Sequence, residues 1–208
     1  MVTTSAQDEV LWNHDLIEII QKSLVNEFPK LKVRKSKVLK DLFLSKDKNK
    51  KYSLQFGFVD QDIIIYDEDE MMDISDFEKT RSIILHKAED KTKLIVPKII
   101  CELKYNGVNS HGLITYSSYA SDIKSIFPEC KYYLLIRYQK SSSENKLFRH
   151  GRYFDKILCF EKGDKTPKYF KGAFIQEMKN NPSLTKVYDE LIYDLKSYLR
   201  PNNSSFIK

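Results

Sequence analysis

Runs of apolar residues separated by polar turns set the outline of this chain. Ile63-Ile64-Ile65-Tyr66 and Ile99-Ile100-Cys101 are β-branched or apolar at successive positions, the pattern of interior strands covered by helices on both faces. Lys131 to Tyr138 repeats it, and Lys156 to Phe160 gives a shorter version. Upstream, Tyr52 to Phe58 alternates apolar and polar residues and predicts a strand. It is expected to form a hairpin with the Ile63 strand by turning near Val59, Asp60 and Gln61.

Helical spacing falls between these strands. Val10, Leu11, Ile17, Ile20, Leu24 and Phe28 predict an amphipathic helix over residues 7–28, which Pro29 ends. Leu113, Tyr116, Ala120, Ile123 and Phe127 predict a second from Leu113 to Ile126, stopped by Pro128. Asn181 followed by Pro182 reads as an N-cap and first helical position. The stripe Leu184, Val187, Tyr188, Leu191, Ile192, Leu195 and Leu199 then carries a helix over 182–199 that covers the sheet or pairs with a second subunit. Lys37 to Ser45 fits a short helix or a strand and is read as a helix, while Ile83-Ile84-Leu85 is left open between the two.

The order of elements predicts an α/β fold with a mixed central sheet flanked by helices. A helix and then a strand after Lys104 is the sequence of a right-handed crossover. The 208 residues are enough for one domain with a full core, expected over residues 52–160. No apolar run reaches the roughly 20 residues that span a bilayer, and no leader pattern opens the chain. A cytoplasmic protein is expected. Cys101, Cys130 and Cys159 are three in number and far apart, which excludes a disulfide framework or a CxxC metal site and reads as reduced core thiols.

Charge adds a partner class. The net charge is +6, and cations crowd Lys30 to Lys51, with Lys35, Lys37 and Lys40 at its centre. Such a segment is a candidate phosphate-contacting surface.

Chemistry concentrates at the ends of the two isoleucine-rich strands. Alternation along a strand puts Glu102 and Lys104 on one face and Leu103 on the other. Asp62 abuts the neighbouring strand. Desolvated ions cost several kcal/mol each unless compensated, and two carboxylates converging from adjacent strands suit a hard cation such as Mg²⁺. An adjacent ammonium is placed to orient water or to stabilise charge on a phosphate.

Asp62, the apolar strand after it, Glu102-x-Lys104 and the helix–strand sequence that follows resemble the PD-(D/E)XK nuclease superfamily over residues 55–138. Gln61 stands where the family name has proline. The resemblance implies a restriction-endonuclease-like fold and Mg²⁺-dependent hydrolysis of DNA, with Mn²⁺ as a substitute. It assigns Asp62 and Glu102 as metal ligands, the Leu103 carbonyl as a third, and Lys104 as the group positioning the attacking water. Double-stranded DNA is the expected partner and a homodimeric, restriction-type enzyme the expected assembly. The alternatives are a junction resolvase or defence effector of the same fold, or an inactive nucleic-acid-binding protein.

Several residues compete for roles. Asp60 is a second metal candidate but is read as a turn residue, and Glu18 or Glu27 could reach the metal from the first helix. Tyr116 and Ser117, on the helix after the site, are candidate phosphate contacts. His111 is read as a surface residue, and the acids from Asp67 to Glu78 as a solvated excursion.

Overall fold

The computed structural model describes residues 5–46, 48, 52–73, 83–84, 93–139, 144–163 and 169–200. Most of the expected turn at Lys46 to Lys51, most of the Phe77 to Ala88 segment, the serine run 141–143 and the tail from Asn202 lie outside these residues.

Helix α1 (Ser5–Leu24) leads into two long strands, β1 (Leu31–Lys46) and β2 (Tyr52–Asp67). Short strands β3 (Met72–Asp73), β4 (Ile83–Ile84) and β5 (Lys93–Leu94) precede the central strand β6 (Ile99–Asn106). Then follow α2 (Ser110–Ile126), β7 (Lys131–Gln139), α3 (Glu144–His150), β8 (Lys156–Lys162), α4 (Ala173–Asn180) and α5 (Pro182–Leu199). The main sheet runs β1-β2-β6-β7-β8, with β4 beside β2, and β3 pairs with β5 separately. β1, β2 and β6 are successively antiparallel, whereas β6, β7 and β8 are parallel. The fold is therefore a mixed α/β sheet flanked by helices, as the apolar runs predict.

Each face of the sheet is covered. Ile63, Ile65, Ile99, Cys101, Leu103 and Leu135 pack under α1, α4 and α5. Ile64, Ile100 and Tyr132 pack under α2 through Ala120 and Ile123. The stripe of α1 is Trp12, Leu16, Ile20 and Leu24, all fully buried, a four-residue spacing that keeps one helix face on the core. Val10 is mostly exposed, and the helix stops at Leu24, one turn earlier than Pro29 alone would require. Asn181 caps α5 by accepting a hydrogen bond from Leu184 N–H at 3.2 Å, and Leu184, Tyr188, Leu191 and Leu195 are buried against the sheet.

Two expectations fail, for one reason. Lys37 to Ser45 is not a helix but part of β1, and no turn interrupts β2 at Asp60. The hairpin is β1 with β2, in register from Leu31 opposite Asp67 to Lys46 opposite Tyr52. Val38 and Leu39 are consecutive and both buried, in different core clusters, so this part of β1 lacks the apolar–polar alternation of a strand with one buried face. Pairing across a 16-residue ladder outweighs the weak local preference of the segment.

Candidate active site

The site forms where β2 and β6 part. Their ladder holds from Ile65 opposite Ile99 to Ile63 opposite Cys101 and goes no further. At the next position Asp62 takes over as an acceptor, its Oδ2 receiving the Leu103 N–H at 3.0 Å. A residue's C=O points to the same strand edge as its N–H, so the Leu103 carbonyl also faces this fork. β6 continues beside β7, with Glu102 opposite Leu134 and Lys104 opposite Ile136.

A β-bulge sets the position of Asp62. Arg34 faces Ile64 and Ser36 faces Gln61, so Lys35 stands against two residues of β2, Asp62 and Ile63. Bulges re-aim side chains at such places. Gln61 is buried, and its Oε1 accepts a hydrogen bond from the Tyr132 hydroxyl on β7. Gln61 is thus tied into the sheet beside Asp62.

Glu102 and Lys104 share a face, as strand alternation requires, with Oε1 and Nζ 2.9 Å apart. Burial pushes the Glu102 carboxyl up to about 7; Lys104 opposes this, while Asp62 and Glu9 add to it. Burial works the other way on Lys104, but Glu102 and Glu9 overcome it and hold the ammonium above its usual range. The Tyr116 ring from α2 lies 4.4 Å from Lys104 Nζ, a cation–π contact.

Helix α1 supplies two residues that strand patterns could not reveal. Glu9 accepts the Tyr105 N–H at 3.0 Å and lies 3.5 Å from Lys104 Nζ. Asn13, one turn on, donates to Asp62 Oδ1 at 3.5 Å. An acid of the first helix does reach the site, but it is neither Glu18 nor Glu27. Glu18 pairs with Lys22 at the surface, and Glu27 pairs with Lys196 and Arg200. Their spacing of four puts both on one helix face, but nothing in the sequence marks that face as the one turned to the strands.

The remaining candidates separate. Lys35 Nζ is 3.8 Å from Asp62 Oδ1, and Lys37 is exposed on β1. Lys40 is tied to Asp41 at 2.5 Å and Asp122 at 3.6 Å. Ser117 is buried, its hydroxyl accepting the Tyr153 N–H at 3.3 Å, so it offers no surface to a phosphate. Asp60 lies within β2 opposite Lys37 rather than in a turn. His111 is exposed in the first turn of α2. The acids after β2 are exposed but engaged: Glu68, Asp69 and Glu70 pair with Lys32, Lys30 and Lys98.

Among the described residues no three His, Cys, Asp or Glu side chains gather into a metal-binding group. Two carboxylates with a carbonyl at the same fork still match the donors of a hard cation that keeps most of its waters. Burial is the main reason that the Glu102 carboxyl is raised, with the Asp62 and Glu9 charges adding to it, and a cation beside it would offset both. Asp62 and Glu102 thus fit Mg²⁺ as a two-carboxylate, water-rich site.

No protein-family model matches the chain, and no curated protein sequence matches it. Among solved structures, the chain is similar to a chain of the native BbvCI A2B2 tetramer, with a TM-score of 0.44 and 14% identity over 74% of this chain. The chain spans 59% of the length of that structure's chain. No helix among the described residues is long and apolar enough to cross a membrane.

Proposed function

We propose that the protein is a Mg²⁺-dependent endonuclease that hydrolyses phosphodiester bonds in double-stranded DNA. The observation that carries this reading is the meeting of Asp62, Glu102 and Lys104 at the β2–β6 fork, with Leu103 N–H held by Asp62. Asp62, Glu102 and the Leu103 carbonyl would hold the ion. Mg²⁺ there supplies Lewis-acid stabilisation of the phosphate and a lowered pKa for water.

The chain's own residues do the rest. Lys104, charged and held between Glu102 and Glu9, orients the attacking water and faces the charge that builds on the phosphate. Glu9, 3.5 Å away, helps to hold the ammonium. Asn13 and the Leu103 N–H fix the Asp62 carboxylate, so that its orientation is set before substrate arrives. One fork is one cleavage centre, and cutting both strands of a duplex calls for two. A homodimer whose two-fold axis matches that of DNA meets the need, and makes a restriction-type activity the specific reading.

Incubation with long duplex DNA tests the class. Discrete fragments in Mg²⁺ and none in EDTA are expected, whereas intact DNA under every metal condition overturns the reading.

A further inference from the structure

A groove of about 480 Å³ lies beside the fork, bounded by Arg34, Lys35, Lys37 and Lys93, with Leu39, Phe58 and Ile95 forming an apolar wall. Lys35 belongs to both places, since its Nζ reaches within 3.8 Å of Asp62. All four cations are exposed.

Three of the four, Arg34, Lys37 and Lys93, lack among the described residues the ion-pair partners that their neighbours have. Lys30, Lys32, Lys40 and Lys98 each have a carboxylate within 3.6 Å. Among the described residues, no carboxylate comes within ion-pair distance of Arg34, Lys37 or Lys93. Arg34 instead lies 5.1 Å from the centre of the Tyr66 ring. Three cations with no ion-pair partner among the described residues, along an open groove with an apolar wall, form a site for an anion that also carries a flat or apolar body. A nucleotide has that chemistry.

We propose that this groove is the strand-binding subsite next to the cleavage centre, taking a DNA phosphate among Arg34, Lys37 and Lys93 and the attached sugar and base against Leu39, Phe58 and Ile95. The choice of DNA as the partner rests on the nuclease reading. The assignment replaces Lys40, which is engaged by Asp41 and Asp122, with Arg34 and Lys93. Asp60 also lines the groove, and its carboxylate opposes a phosphate there.

The opposed charges give the test two arms of opposite sign, read by fluorescence anisotropy on a labelled duplex in EDTA over a salt series. Lys37→Ala/Lys93→Ala should weaken binding across all sequences and reduce the slope of log affinity against log salt by about 0.9 in magnitude, the share of the one phosphate held there. Asp60→Asn should tighten binding roughly threefold, a gain that a misfolded variant cannot produce. An unchanged salt slope in the double variant together with unchanged affinity in Asp60→Asn overturns the subsite, and normal Mg²⁺ cleavage by those variants would leave the nuclease reading standing. Conversely, the expected binding changes with no cleavage by the wild type in any metal would overturn the nuclease reading and leave the groove as a DNA-binding site.

Discussion

Glu102 and Lys104 are joined at 2.9 Å with only 7% and 16% of their side chains exposed. A buried pair is costly to break from one side, because the survivor stays desolvated without its counter-charge. Lys104→Met should therefore destabilise the protein by about 3 kcal/mol in urea unfolding. Glu102→Gln should cost clearly less, since Lys104 keeps Glu9. Equal losses in the two variants would contradict the pairing.

The same pair predicts a pH dependence. Glu102 titrates near 7 in the fold against 4.5 for the free group, chiefly through burial. Between those values the folded protein holds more protons than the unfolded chain, so the contribution of this group is fully present below pH 4.5 and is lost as pH rises through 7. In EDTA, the stability of the wild type relative to Glu102→Gln should fall over that interval by up to about 1.4 kcal/mol per pH unit and level off above it. A difference that is flat with pH would show that the carboxyl is not raised.

Tyr132→Phe isolates the support beneath Asp62. Without the hydroxyl, the buried Gln61 amide loses its partner to Oε1, and its Nε2 has none among the described residues. The cost should be about 1–3 kcal/mol, measured by denaturant midpoint. Because Gln61 borders the bulge that sets Asp62, cleavage should fall in the same variant while metal-free DNA affinity is kept. Cleavage at the wild-type rate would detach the bulge from the site.

How much of this was legible in the sequence depends on the range of each interaction. The proximity of Asp62, Glu102 and Lys104 could be read because each adjoins an unbroken apolar run, and strand alternation then fixes which side chains share a face. β6, α2, β7 and α5 were legible for similar local reasons. Glu9 and Asn13 were not, since they meet the strands 96 and 49 residues away in sequence, and nothing local distinguishes them from solvated helix residues. β1 was misread because its consecutive apolar residues, Val38-Leu39 and Leu42-Phe43-Leu44, hide the period-two signal. The turn expected at Asp60 had the right composition, but the ladder opposite Lys37 overrode it. Lys40 shows the limit of reading charge by proximity: it stands in the basic segment, yet Asp122, from α2, is one of its partners.

DNA cleavage at the β2–β6 fork with a divalent cation is tested most directly by following a supercoiled plasmid with wild-type protein and Glu102→Gln in parallel, both shown to be folded, in Mg²⁺ and in EDTA. The wild type should nick and linearise the plasmid in Mg²⁺ and leave it intact in EDTA, and Glu102→Gln should be slower by a factor on the order of 10² or more. Cleavage by Glu102→Gln at the wild-type rate, or cleavage indifferent to EDTA, would contradict the assignment of the fork as the active site.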